Sequence, residues 1–269
     1  MAARSVTLHD GSEHPMLGFG TYKVGFVPAS ASSAVQPKDD RDPKEIIKDA
    51  VAVGYRYFDC AQFYGNEAMV GQALKDSGVD RKELYLVSKV WCDTIYKGPE
   101  AVKAQVHKCL ADLQTDYLDL YLVHWPVPGK HVQAYKALEE LHKEGKIKGI
   151  GVSNYTIEDY NELKAEMTIK PLVNQIEVNP FLYRRRTIQF FQDEGIQIEA
   201  YRALRNGKEM DNERIKSIAE KHKCTPAQVL TAWCLQHNII VIAKSSKKVL
   251  VGAIRVYSQS YTMQNEQTH

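Results

Sequence analysis

Short apolar runs rich in β-branched residues alternate with longer amphipathic stretches along almost the whole chain. The runs at 16–20, 55–60, 84–90, 118–124, 150–154, 172–177, 196–201 and 239–243 read as strands. The stretches near 43–53, 66–77, 99–113, 131–144, 156–166, 184–194, 212–223, 225–237 and 246–257 carry apolar residues at helical spacing. Boundary signals agree with this. Residues 93–98 read as a loop, and Pro99 stands at a helix start, where its missing N–H costs nothing. Thr225, Pro226 and Gln228 form a capping pattern, and Gly145 follows a helix end. Strand–helix alternation predicts a parallel sheet, and eight strands predict its closure into a (β/α)8 TIM barrel. The competing open, doubly wound sheet would carry G-x-G-x-x-G after its first strand. Here Gly18-Phe19-Gly20-Thr21-Tyr22-Lys23 lacks the third glycine. The regular period predicts one barrel domain over 1–269, with a long loop at 25–42 rich in Ala, Ser and Pro.

Composition narrows the setting. With 44% apolar residues, 25% charged residues and a net charge of +2, there is no electrostatic case for nucleic acid or an anionic membrane as partner. No run of about 18 apolar residues occurs, and the first fifteen or so residues lack the apolar core of a signal peptide. The cysteines, Cys60, Cys92, Cys109, Cys224 and Cys234, are odd in number and scattered, which fits reduced thiols and a cytoplasmic location.

A closed barrel carries its chemistry at the C-terminal ends of its strands. That rule selects Asp59, Lys89, His124, Ser153, Asn154, Gln175, Glu177, Tyr201, Lys244 and Ser245, with Tyr64 just beyond the second strand. Singly, each has an ordinary reading as a cap, a turn residue, packing or a solvated charge. Together, Asp59, Tyr64, Lys89 and His124 fall at the same end of three successive strands. A free tyrosine has a pKa of about 10, too high for efficient proton exchange near neutrality. A nearby ammonium is expected to lower it, an aspartate to keep that ammonium charged, and a histidine to orient a carbonyl. No HExxH, paired CxxC or calcium-loop pattern calls for a metal.

These residues lie in segments that resemble the aldo-keto reductase superfamily over residues 4–245: GFGTY (18–22), GYRYFDCAQFYGNE (54–67), VSKVW (87–91), DLYLVHWP (119–126), IGVSN (150–154), VNQIEVNP (173–180), AYRAL (200–204) and IAKS (242–245). The resemblance implies a barrel whose N-terminal end is plugged by a β-hairpin near 5–15. It implies reduction of an aldehyde or ketone with NADP(H), Tyr64 as general acid, Lys89 and Asp59 tuning it, and His124 orienting the carbonyl. Ser153, Asn154 and Gln175 would hold the nicotinamide carboxamide and Tyr201 would stack on its ring. Lys244 and Ser245 would grip the 2′-phosphate, and Gly20, Thr21, Tyr22 and Asp59 would line the same groove. Tyr22, Trp91, His124 and Trp125 would form the substrate pocket. The family is often monomeric, and a monomer is expected.

Two departures stand out. Tyr201-Arg202-Ala203-Leu204-Arg205 replaces the family's Tyr-Ser-Pro-Leu-Gly, placing Arg202 and Leu204 where the pyrophosphate loop is expected. From about residue 246 the expected last helix offers Lys247 and Lys248 but no Glu-Asn pair, and the usual C-terminal pocket loop is expected to be absent. The 25–42 loop is expected to cover the pocket instead. The departures motivate a second reading, an NADP(H)-binding barrel with little catalysis and a redox-sensing or structural role.

Overall fold

A computed structural model describes residues 4–25 and 41–244. The hairpin β1 (Ser5–Thr7) and β2 (Glu13–Pro15) comes first, paired antiparallel with Val6 opposite His14. The elements that follow are β3 (Leu17–Gly20), α1 (Pro43–Ala52), β4 (Tyr57–Asp59), α2 (Glu67–Asp76), β5 (Tyr85–Val90), α3 (Cys92–Ile95), α4 (Pro99–Asp112), β6 (Leu120–Val123) and α5 (His131–Lys143). Then come β7 (Ile150–Ser153), α6 (Ile157–Lys164), β8 (Val173–Glu177), α7 (Arg185–Asp193), β9 (Gln197–Tyr201), α8 (Glu213–Lys221), α9 (Pro226–Gln236) and β10 (Ile240–Ala243). The eight strands β3 to β10 form a closed parallel barrel, sealed where β10 pairs with β3. All eight expected strands are present, each shorter than its apolar run by one to three residues. Several terminal residues of those runs, such as Cys60, His124, Asn154 and Leu172, still donate one backbone hydrogen bond to the neighbouring strand, at the frayed ends of the ladder.

Local chemistry explains the helix starts. Thr225 and Gln228 form a reciprocal capping box on α9, with Pro226 in its first turn, and Thr156 with Asp159 does the same for α6. The expected loop at 93–98 contains a correction: α3 occupies Cys92–Ile95. Four residues are too few to show a periodicity. The expected helix at 246–257, Ser245, Lys247, Lys248 and loop residues 26–40 lie outside the described residues. No helix among the described residues is long and apolar enough to cross a membrane.

The hairpin closes the barrel floor. His9 Nε2 lies 3.1 Å from the carbonyl oxygen of Pro171, at the N-terminal entrance to β8, and Leu8 and His14 are buried. His14 packs edge-on to Tyr57 at 5.0 Å and against Tyr85 at 4.3 Å between ring centres. Gly18 makes room for this layer, since a Cβ there would stand 2.4 Å from the Tyr57 ring. Alternation along the strands sends Tyr57 and Asp59, Lys89, Gln175, Glu199 and Tyr201 to the barrel interior. A polar column therefore runs from floor to mouth through an otherwise apolar core.

Candidate active site

Asp59 ends β4. The chain then makes one 3-10 turn, Gln62–Tyr64, and leaves it through Gly65 at φ 66°, a left-handed position that costs glycine little. This turn brings Tyr64 back over Asp59. Lys89, fully buried on β5, donates to Asp59 Oδ1 at 2.5 Å, to the carbonyl of Cys60 at 2.8 Å and to the Tyr64 hydroxyl at 3.2 Å. All three ammonium hydrogens thus have acceptors, which offsets the cost of burying the charge. The Tyr64 hydroxyl also reaches Asp59 Oδ2 at 3.4 Å. Asp59 is fixed from behind, because its carbonyl accepts from both the backbone N–H and the hydroxyl of Thr21. His124 follows β6, with its ring 6.0 Å from that of Tyr64.

The protonation pattern departs from the sequence expectation on one point. Burial, reinforced by the Asp59 carboxylate, pushes the Tyr64 phenol well above its ordinary value. The ammonium does not acidify it beforehand, because its nearest partner is Asp59, whose charge cancels much of its field. Tyr64 therefore holds its proton across the neutral range. Burial and the Lys89 charge push His124 well below its ordinary value, so its ring is neutral. His124 Nδ1 is buried without a hydrogen-bond partner among the described residues. A buried nitrogen without an acceptor is best left as the lone pair, which puts the ring hydrogen on Nε2, free to donate.

The residues expected around a nicotinamide also converge. Ser153 Oγ donates to the carbonyl of Gln175 at 2.8 Å, and Asn154, at φ 62°, donates from Nδ2 to the carbonyl of His124 at 3.0 Å. Tyr201 lies over them, its hydroxyl donating to Asn154 Oδ1 at 2.8 Å. Gln175 Nε2 donates to Asp59 Oδ1 at 3.0 Å and to Glu199 Oε2 at 2.9 Å. With both amide hydrogens spent on carboxylates, its side-chain oxygen takes no hydrogen bond among the described residues. An acceptor left open beside Ser153 and Asn154 suits the amide of a nicotinamide, so the residues present fit that cofactor.

Glu199 is the interior residue that sequence reasoning missed. Its signal was available: an acidic residue two positions before Tyr201 in an apolar strand faces the same way as Tyr201.

The pocket walls are aromatic. Trp91 stacks on Phe63 at 4.1 Å and meets His124 edge-on at 5.0 Å, while Tyr22 lies 5.1 Å from Tyr64. Trp125 is 43% exposed and stands outside this cluster. Of the loop arginines, Arg202 pairs with Glu177 at 3.1 Å and Arg205 with Glu209 at 2.8 Å. Leu204 packs against the core. Gly20 lies beside the end of β10, where an added Cβ would be 3.7 Å from Lys244 Cβ.

Comparison with known proteins identifies the family and the fold. Residues 16–254 match the aldo/keto reductase family. The chain is 42% identical over 244 residues to a glyoxal reductase of Bacillus subtilis, an alignment covering 91% of this chain and 83% of that protein. It is 38% identical over 244 residues to the methylglyoxal reductase DkgA of Escherichia coli O157:H7, covering 89% and 82%. A variant of Gox0644 solved in complex with NADPH superposes with a TM-score of 0.86 at 34% identity, covering 98% of this chain and 90% of that one. The chain belongs to the aldo/keto reductase family, NAD(P)H-dependent oxidoreductases that reduce carbonyl groups.

Proposed function

We propose that this protein reduces small aldehydes, 2-oxoaldehydes such as methylglyoxal first among them, to alcohols with NADPH, and that Tyr64 supplies the proton. The observation that carries this reading is the buried Lys89 ammonium within 3.2 Å of the Tyr64 hydroxyl and 2.5 Å of Asp59. Reduced nicotinamide supplies the hydride when bound. Ser153, Asn154 and Gln175 would hold its carboxamide, Tyr201 would flank its ring, and Gly20, Thr21 and Tyr22 would line the groove. Lys244, with Ser245 beyond the described residues, would favour a 2′-phosphorylated cofactor, and Arg202 and Leu204 would border its pyrophosphate.

Neutral His124 donates from Nε2 to the carbonyl oxygen and orients it between Trp91 and Tyr22. Tyr64, kept protonated by burial, gives its proton to that oxygen as charge develops there. The phenolate charge then appears beside Lys89, which stabilises it as it forms. That interaction is stronger in the transition state than in the ground state, which is what accelerates a step. Glyoxal- and methylglyoxal-reducing relatives support a small substrate. The chain is taken as one domain over 1–269 acting as a monomer in the cytoplasm, and five free thiols fit a reducing compartment.

The test follows NADPH oxidation with methylglyoxal, glyoxal and longer aldehydes, alongside fluorescence titration of NADPH. Tyr64→Phe is expected to lower kcat by roughly 10²- to 10⁴-fold while NADPH binding stays within about twofold. Comparable turnover by the variant removes Tyr64 from the role of acid.

A further inference from the structure

Glu199 is fully buried in the middle of the barrel, between the catalytic mouth and the hairpin floor. Its Oε2 accepts from Gln175 Nε2 at 2.9 Å, and its Oε1 accepts a short hydrogen bond from the Tyr57 hydroxyl. On the floor side, His14 Nε2 lies 3.9 Å from Oε1 and is buried with no hydrogen-bond partner among the described residues. His14 Nδ1 faces the carbonyl of Pro15 at 2.9 Å. A carbonyl can only accept, so Nδ1 carries the ring hydrogen and Nε2 is a bare acceptor.

From this arrangement we infer that Glu199 is a positioning residue for the nicotinamide end of the cofactor site. Together with Asp59 it captures the amide hydrogens of Gln175, which turns the amide oxygen to the mouth. Its own proton, when present, is directed to His14. The inference rests on the cofactor reading above.

The two states of Glu199 differ in what they satisfy. Ionised, both oxygens accept, from Gln175 and from Tyr57. Protonated, the Oε1 hydroxyl faces the unpartnered His14 Nε2 across 3.9 Å, a gap that a small shift of the two side chains closes to hydrogen-bond length. The groups facing Glu199 are few: Tyr57 and Asp59 on β4, Tyr85 and Lys89 on β5, His14 on the hairpin and the Gln175 amide on β8. Its neighbour on β10 is apolar Ile240. Lys89 is the single cation among these groups, and Asp59 already holds it. Ionisation of Glu199 therefore leaves the interior one negative charge in excess, one amide away from the nicotinamide site. Burial and the Asp59 charge raise Glu199 to about 7, so this change falls within the working range. An added negative charge favours the cationic oxidised ring over the neutral reduced one.

The experiment measures the ratio of NADP+ to NADPH affinity of the full-length protein between pH 6 and 8.5. Titration of the 2′-phosphate is common to both cofactors and cancels in the ratio. In the wild type the ratio is expected to rise roughly fivefold with a midpoint near 7. In Glu199→Gln, which keeps an acceptor for Gln175 but cannot ionise, it is expected to stay flat. Glu199→Ala is expected to weaken NADPH binding about tenfold, and Glu199→Gln to recover most of that loss. His14→Leu, far from the mouth, removes the acceptor of the proton and is expected to move the midpoint to lower pH. A flat ratio in an active, cofactor-binding wild type overturns the inference alone, as does a step that survives in Glu199→Gln or an unmoved midpoint in His14→Leu. A wild type that binds neither cofactor overturns both this inference and the reading it rests on.

Discussion

Glu199 and His14 are buried side by side with opposite protonation habits, and their effects on stability oppose each other. Glu199 is raised from 4.5 to about 7, so its contribution to folding is complete below 4.5 and is lost as pH rises through 7. His14 is lowered by burial from 6.5 to about 4, so its contribution is present above 6.5 and is lost as pH falls through 4. Each window spans about 2.5 pH units, on the order of 3 kcal/mol. Urea denaturation should show the wild-type stability, minus that of Glu199→Gln, falling by that order between pH 4.5 and 7. A constant difference means that Glu199 does not titrate there. At this scale the sequence was informative wherever a polar residue closed an apolar strand, as with Asp59, Lys89, His124 and Gln175. It was silent on the sign of the Tyr64 shift. That sign depends on whether the ammonium sits nearer to the phenol or to Asp59, and on how completely the phenol is enclosed. Glu199 escaped notice because it lies mid-strand rather than at a strand end.

Between elements, the backbone of α2 passes close to the end of α4. Gly71 makes it possible, since a Cβ there would come within 2.4 Å of the Asp112 carbonyl oxygen and 2.6 Å of Leu113 Cα. Alanine is the better helix former by up to about 1 kcal/mol, but these neighbours are backbone and cannot rotate away. Gly71→Ala should therefore destabilise by about 1–3 kcal/mol in chemical denaturation. An increase in stability would show that the two helices separate freely. Element order and type were legible because eight apolar runs and their capping residues recur with one period. The short α3 was not, because a single turn made by Trp91 and its successors carries no period. Its formation is tertiary in origin, with the Gln62 amide bonding both the Trp91 N–H and the Thr94 hydroxyl.

For the whole molecule, closure is the governing fact. Each of the eight strands is paired on both sides, and β10, the last in sequence, pairs with β3, the first. Barrel closure was readable from strand number. The way the ring is plugged and wired inside was not, because it depends on contacts such as His9 with Pro171 and Gln175 with Glu199, more than a hundred and about two dozen residues apart. A chain ending after Gln236 keeps seven strands but bares the edges of β3 and β9, which are templates for pairing with other chains. Such a truncation should partition into the insoluble fraction on expression, whereas the intact chain should elute as a discrete species. A soluble, monodisperse truncation would show that the seal is dispensable. The same seam has a meaning for biosynthesis. A ribosome delivers β3 more than two hundred residues before β10, so throughout that stretch of translation the nascent sheet waits with two raw margins. Maturation is thereby deferred until β10 emerges, and this is the interval in which a holding chaperone has most to protect.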